Sequence, residues 1–243
     1  LKGTTVYRYA EAPDFQVLLF SYAVDDEPVT LVDLTMSELP PAVVQMLHDP
    51  NCIKIAYNAN FERVCLSRML GEQLAPESWR CTMVHAATLG LPRTLAEVGR
   101  VLGLPEDKQK MKEGRALIEY FCKPCKPTRK NGGRVRNLPE HDVEKWETFK
   151  AYNIRDVEVE RAIRRKLEQY PMLPDELWAY WLDQRINDRG ILLDRALVTQ
   201  AIRCDERFKR THLEQARSVT GLENPNSPAQ LKAWLAEKGV EAE

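Results

Sequence analysis

The sequence has no long apolar run, and this excludes a membrane-spanning helix of ordinary length. Such a span needs about 18 or more nearly uninterrupted apolar residues, and no stretch of the 243 residues provides them. The opening residues, LKGTTVYRYAEAPDF, also lack the charged and then apolar pattern of a secretion signal. We therefore expect a cytoplasmic protein without a membrane partner.

A disulfide framework of the secreted kind is also missing. The six cysteines are scattered along the chain, and free thiols in a reducing compartment are the expected state. Cys122 and Cys125 form a single C-x-x-C pair, whereas a structural zinc site needs two such pairs or added histidines. Cys81 and His85 could supply the missing ligands of such a zinc site. Free thiols are nevertheless favoured over zinc binding.

An excess of either charge is missing overall, because 35 basic and 36 acidic residues give a formal net charge of −1. Charge is not balanced in the segment from Cys122 to Arg136, where six residues are basic and none is acidic. They are Lys123, Lys126, Arg129, Lys130, Arg134 and Arg136. We call residues 123–136 the basic loop, and it is either a solvated loop or a phosphate-binding surface for nucleic acid.

The order of predicted elements favours an α/β domain followed by a helical segment. The stretches QVLLFSYAV and VTLVDL predict a hairpin with DDEP as its turn. CIKIAYN predicts a strand that runs directly into the helical pattern ANFERVCLSRML. Further helices are predicted at 39–48, 83–89, 94–102, 113–121 and 142–169. Beyond Pro171 the pattern is almost entirely helical, with Gly190 as a stop and Ser227 as an N-cap.

An aspartate interrupts the apolar face of the predicted helix at 142–169. This face carries Phe149, Tyr152, Asp156, Val159, Ile163, Leu167 and Tyr170, at steps of three and four residues. A carboxylate withdrawn from water is costly, so we expect Asp156 to be neutralised, paired or bound to a metal ion. Arg155 and Arg161 offer a salt bridge, and a rolled helix would bring Asp156 to the rim. Tyr152 is either a core residue or a phenol that orients a water beside the carboxylate.

A second polar group lies where the predicted strand CIKIAYN meets its helix. Ligands of open α/β sheets gather at the carboxyl ends of strands, and Asn58 and Glu62 lie there, four residues apart. We expect Phe61 to pack into the sheet while Glu62 points along its open edge. Asn58 has an alternative role as the N-cap of the helix.

Together these residues resemble a family of nucleases. The stretch YNIRD, which contains Tyr152 and Asp156, resembles the Y-x-x-x-D motif of the tyrosine-bearing DEDD 3′–5′ exonucleases. NANFE resembles their second motif, N-x-x-(F/Y)-D, with Glu62 in the place of Asp. The stretches WRCTMVHAATLGLPRTLAEVGRVLGL, DQRINDRGILLDRALV and NSPAQLKAWL are similar to phage-type family A DNA polymerases. In those proteins a proofreading exonuclease domain precedes the polymerase domain.

The resemblance implies a ribonuclease-H-like exonuclease fold over residues 1–170, with a mixed sheet flanked by helices. Residues 171–243 would form a helical linker and the start of the polymerase thumb region. The implied activity is hydrolysis of a 3′-terminal phosphodiester by two Mg²⁺ or Mn²⁺ ions, about 4 Å apart. Glu62 and Asp156 would be metal ligands, and Tyr152 would position the attacking water.

The resemblance also implies partners. The substrate would be a single-stranded 3′ DNA end or a primer–template, and Asn58 and Phe61 would help to hold its end. Lys123, Lys126, Arg129 and Lys130 of the basic loop would contact the DNA backbone. The polymerase domain would follow in the same parent chain, in a bacterial or phage-infected cell.

The first motif of that family, D-x-E on an opening strand, is not found ahead of Gln16. The three D-x-E strings begin at Asp25, Asp142 and Asp156. The first falls in the predicted hairpin turn and the other two on a predicted helix. Because Glu62 and Asp156 supply −2 against +4 from two ions, we expect weak or absent nuclease activity from this piece of a longer polymerase. A non-catalytic DNA-binding module and a ribonuclease-D-like RNA-processing exonuclease are the alternatives.

Overall fold

The computed structural model describes residues 3–104 and 114–240. The chain forms two compact units, Leu1–Asp188 and Arg189–Glu243. The first is of the α/β class, as the sequence predicts, and the second is helical. No helix in the described ranges is long and apolar enough to cross a membrane.

Two small sheets form in the first unit. Strands β1 (Leu19–Tyr22) and β2 (Thr30–Asp33) pair antiparallel, which confirms the predicted hairpin. Strands β3 (Lys54–Ala56) and β4 (Trp79–Cys81) pair in parallel. Strand β4 is not predicted from the sequence, because three residues are too few to show an alternating pattern.

These sheets are separate within the described residues. The predicted single mixed sheet is therefore not observed, because β1 pairs with β2 alone and β3 with β4 alone. A helix, rather than a strand, lies between β2 and β3 along the chain. The α/β class is confirmed, and the ribonuclease-H-like fold stays a prediction.

Helices make up most of the remaining first unit. They are α1 (Val6–Ala10), α2 (Pro41–His48), α3 (Ala59–Leu70), α4 (Thr82–Thr88), α5 (Leu95–Val101), α6 (Gly114–Cys122), α7 (Val143–Leu167) and α8 (Pro174–Arg189). The predicted helices agree with these bounds to within two residues. Glu113, the predicted start of α6, lies outside the described residues. Helix α1 is too short to show a helical period, although Thr5 caps it by accepting a hydrogen bond from the Arg8 amide at 3.3 Å.

Helix α7 carries two of the buried apolar clusters of the first unit. Its first half packs against β1 and α6 through Trp146, Phe149 and Tyr152, and its second half packs against α4 and α5 through Val159, Ile163 and Leu167. Asp156 lies between the two halves along the helix. The predicted apolar face is thus confirmed up to Leu167. Tyr170 was wrongly included, because it follows the end of the helix and is 61% exposed.

Helix α8 packs with the first unit, where Tyr180 is buried in the same cluster as Trp79 of β4. It ends before Gly190, whose φ of +65° suits glycine and confirms the predicted stop. The division into compact units therefore falls after Asp188, not near residue 170. The functional division at residue 170 stays a prediction.

The second unit contains helices α9 (Arg195–Thr220) and α10 (Pro228–Glu237). The Asp194 side chain caps α9 by accepting a hydrogen bond from the Leu197 amide at 3.0 Å. Ser227 caps α10 by accepting one from the Gln230 amide at 3.5 Å, which confirms the predicted N-cap.

Candidate functional site

The candidate site begins at the junction between β3 and α3. Asn58 occupies the N-cap position of α3, which confirms that alternative for its place in the helix, although its side chain makes no capping hydrogen bond. Its backbone carbonyl accepts the Phe61 amide at 2.7 Å. The side chain of Asn58 is exposed. Phe61 is half-buried, and its ring centroid lies 5.8 Å from that of Tyr9 in α1.

Glu62 lies in the first turn of α3, in an environment that disfavours its charge. Its Oε2 atom is buried and has no hydrogen-bond partner in the described parts of the chain. Burial raises the pKa of the Glu62 carboxyl to about 7, and the charges of Glu160 and Asp156 act in the same direction. The Glu62 backbone amide opposes this with a hydrogen bond. Helices α3 and α7 therefore bring three carboxyl groups close enough to affect one another.

Asp156 and Tyr152 project together from α7, as the sequence predicts. Asp156 is half-buried, whereas Tyr152 is 4% exposed. The pKa of the Tyr152 phenol is raised by burial, by the charge of Asp156 and by a hydrogen bond to its carboxylate. This hydrogen bond places the phenol oxygen directly against the candidate metal ligand.

The two arginines considered as salt-bridge partners of Asp156 also contact other residues. Arg161 donates hydrogen bonds to the backbone carbonyls of Asp25 and Glu27 at 2.7 and 2.8 Å. Those residues form the turn of the β1–β2 hairpin, so Arg161 fastens the hairpin to α7. Arg155 forms an ion pair with Glu158 at 3.1 Å.

Glu160 is a member of the carboxylate group that sequence reasoning missed. It is 7% exposed and accepts a hydrogen bond from the hydroxyl of Thr82, the first residue of α4. Burial raises its pKa, while the Thr82 hydrogen bond and the charges of Arg164 and Arg161 lower it. The available signal was its spacing of four residues from Asp156, which puts both side chains on one helix face.

Gly114, the first residue of α6, was also missed. It is buried, and the ring of Tyr152 occupies the space where a Cβ atom would stand. Glycine is common near the start of a helix, so its presence there does not indicate a contact with Tyr152. Gly114 thus lets the Tyr152 ring pass close to the backbone of α6.

The basic loop leaves α6 with most of its charges exposed. Lys123, Lys126, Arg129 and Lys130 are all exposed, and Lys123 forms an ion pair with Glu119 at 3.0 Å. The Asn131 side chain holds the loop together by donating to the Lys126 carbonyl at 2.9 Å and accepting from the Thr128 and Gly133 amides at 2.8 and 3.1 Å. The cations are therefore displayed on an internally hydrogen-bonded loop.

Over 238 residues the chain is 55% identical to a DNA polymerase of Bacillus phage SP02. The chain is similar to part of a phage DNA polymerase. The match covers 97% of this chain and 36% of the relative, so the chain spans about a third of that protein's length. No family model matches the chain, and no solved structure matches it.

The fit of a divalent cation to this part of a polymerase-like chain is partial. Carboxylate oxygens are the ligands that Mg²⁺ and Mn²⁺ prefer, and the buried Glu62 Oε2 is an acceptor that a cation would satisfy. Yet no group of three or more His, Cys, Asp or Glu side chains in the described ranges is arranged to hold a metal ion. Glu62 and Asp156 therefore fit as part of a ligand set.

The cysteine alternatives give no metal site among the described residues. The Cys125 thiol donates to the Arg134 carbonyl at 3.3 Å, and the Cys81 thiol donates to the Tyr57 carbonyl at 3.3 Å. All six cysteines are free thiols, as the sequence predicts.

Proposed function

We propose that this chain is the 3′–5′ exonuclease part of a DNA polymerase and removes nucleotides from a 3′ end by two-metal hydrolysis. The supporting observation is that Glu62 of α3 lies close enough to Asp156 of α7 for the Asp156 charge to raise the Glu62 pKa. The Tyr152 phenol is hydrogen-bonded to the same Asp156 carboxylate. Similarity to a phage DNA polymerase supports the wider assignment.

Each residue has a role in this proposal. Glu62 and Asp156 would hold a divalent cation, whose chemistry is to polarise the phosphate and to supply a nucleophilic water. Tyr152, fixed by its hydrogen bond to Asp156, would orient that water. Asn58 and Phe61, at the start of α3, would contact the substrate end. The exposed cations of the basic loop would contact the DNA backbone.

The D-x-E carboxylates of the related exonucleases have no counterpart on a described strand. Asp25 lies in the hairpin turn, Asp142 caps α7, and Asp156 lies within α7. A central D-x-E strand could pair with the edges of β1 and β3 that no described strand occupies. We therefore propose that the chain alone has weak or no nuclease activity, and that a D-x-E strand ahead of it would complete the site.

Digestion of a 3′-labelled single-stranded DNA with magnesium tests this proposal in a longer chain, in which a D-x-E strand precedes Leu1. Asp156→Asn and Glu62→Gln should each lower the rate by roughly 100-fold or more, because each removes a charge that holds the metal. Glu158→Gln is the matched control, because Glu158 is an exposed acid of α7 paired with Arg155. Continued inactivity of the longer chain would refute the exonuclease assignment.

A non-catalytic DNA-binding module is the second candidate. It is favoured by the absence, in the described ranges, of a complete group of metal ligands. DNA binding without digestion by the longer chain would support it. Faster digestion of RNA than of DNA in the same assay would instead support the ribonuclease-D-like alternative.

A further inference from the structure

A cleft of about 200 Å³ lies between helix α1 and the start of the basic loop. Its walls include Tyr9, Phe15, Leu18, Cys122, Lys123 and Arg136. Pockets that enclose a whole small molecule usually measure about 300–1,000 Å³. A cleft of this size therefore suits one part of a larger ligand.

A row of aromatic rings connects this cleft to the candidate site. The rings of Tyr9 and Phe15 meet edge to face, with their centroids 5.7 Å apart and their planes at 83°. On its other side Tyr9 lies 5.8 Å from Phe61, at 31° between the ring planes. Phe61 directly precedes Glu62, so this row of rings ends at the helix turn that carries a candidate metal ligand. Proteins that bind single-stranded nucleic acids stack bases on such rings.

The cleft also carries more positive than negative charge. Lys123 and Arg136 line it, and among the described residues Asp14, which is exposed, is the one carboxylate in its lining. The Lys123 ammonium group also forms an ion pair with Glu119 of α6. The Arg136 guanidinium makes no hydrogen bond or ion pair with any described residue. Burial raises the pKa of Tyr9 and of Cys122, and the nearby Arg136 charge opposes this rise in both groups. An unpaired arginine beside aromatic rings suits a phosphate next to a base.

We propose that this cleft binds one nucleotide of an unpaired strand close to its 3′ end. The base packs against Tyr9 and Phe15, and the adjoining phosphate is held by Arg136 and Lys123. A paired duplex does not fit, because its bases are stacked on one another and their faces are covered. This inference rests on the proposed function, in which the strand end reaches Glu62 and Asp156.

Binding of a fluorescein-labelled oligothymidylate, followed by fluorescence anisotropy in EDTA, tests the cleft without any hydrolysis. Phe15→Leu should weaken binding roughly tenfold, since stacking on one aromatic ring is lost. Arg136→Gln should weaken it a few-fold and reduce the slope of log Kd against log salt by about 0.7. Arg68→Gln is the matched control, because it removes the same charge from an exposed position in the last turn of α3. It should leave the affinity and the slope unchanged.

An oligonucleotide with abasic sites separates base stacking from charge. The wild-type chain should bind it less tightly, and Phe15→Leu should cause no further loss. Arg136→Gln should still weaken its binding, because the phosphates remain. Circular dichroism confirms that each variant is folded. Oligouridylate in place of oligothymidylate shows whether the cleft distinguishes RNA from DNA, and binding of either supports a nucleotide site.

Wild-type affinity in both folded cleft variants would overturn the inference, and so would duplex DNA that competes as well as a single strand. The two proposals fail separately. If the cleft variants bound the oligonucleotide as tightly as the wild type and the longer chain digested DNA, only the exonuclease assignment would stand. If the cleft variants bound more weakly and the longer chain digested nothing, only the proposed nucleotide site would be supported.

Discussion

At the scale of single residues, Glu62 has a carboxyl group that the fold keeps from being ionised easily. Burial and two neighbouring carboxylates raise its pKa from 4.5 to about 7. The folded chain therefore holds this proton more tightly than the unfolded chain. The stability from this group is complete below about pH 4.5 and is lost as the pH rises towards 7.

We expect Glu62→Gln to stabilise the chain at pH 8 and to have little effect at pH 5. A shift of this size corresponds to roughly 3–4 kcal/mol in the free energy of unfolding at pH 8, because each pKa unit is worth about 1.4 kcal/mol. Urea unfolding without divalent ions measures the difference, with Glu158→Gln as the control. An equal effect of Glu62→Gln at both pH values would contradict this account of the site.

The contact between Gly114 and Tyr152 gives a second prediction for single residues. Gly114→Ala should lower the free energy of unfolding by about 1–3 kcal/mol, because the new Cβ collides with the buried Tyr152 ring. Thermal unfolding measures the cost. Gly99→Ala is a milder control, since its nearest neighbour, Leu104 Cδ1, lies 3.3 Å from the added atom. If Tyr152→Ala did not relieve the cost of Gly114→Ala, the collision would not be its cause.

Sequence reasoning selected Glu62, Asp156 and Tyr152 as candidates because each carries a local signal. The first follows a strand end, and the other two occupy one face of a long amphipathic helix. Glu160 and Gly114 were missed for physical reasons. Glu160 is defined by a contact with α4, 78 residues away, and Gly114 by the position of a ring that comes from α7.

At the scale of elements, one buried ion pair joins α8 to α3. Arg63 is 1% exposed, and its guanidinium donates to both carboxylate oxygens of Asp188 at 2.7 and 2.9 Å and to the Leu74 carbonyl at 2.9 Å. The Tyr7 hydroxyl of α1 donates to the same carboxylate at 2.7 Å. Burial alone would raise the pKa of Asp188, but the hydrogen bonds from Arg63 and Tyr7 lower it.

We expect Asp188→Ala to reduce the free energy of unfolding by about 3–5 kcal/mol, because Arg63 would remain buried without its counter-charge. Asp183→Ala, an exposed position of α8, should change it by no more than about 0.5 kcal/mol. Chemical denaturation measures both. Adding Arg63→Met to Asp188→Ala should recover part of the loss. A small cost for Asp188→Ala would show that this ion pair does not fix α8.

The elements also show where sequence patterns suffice. The hairpin, the β3–α3 junction and α7 were predicted because their apolar periods or their turn are visible locally. Helix α1 and strand β4 are too short to show a period. The packing of α8 against α3 depends on Arg63 and Asp188, which are separated by 125 positions. No local sequence pattern predicts such a pair.

At the scale of the whole molecule, the chain corresponds to about a third of a phage DNA polymerase in length. Polymerisation and 3′–5′ digestion would reside in different parts of such a protein. The carboxylates of α3 and α7 would then serve digestion alone, and their loss should leave nucleotide addition intact.

Asp156→Ala in the longer polymerase chain that the proposal implies tests this central claim most directly. Digestion of a 3′-labelled single strand and extension of a primed template are measured on the same preparation. The account predicts that digestion is abolished while extension keeps its wild-type rate. An equal fall in both activities would show that Asp156 is a structural residue, and persistent digestion would show that the site lies elsewhere.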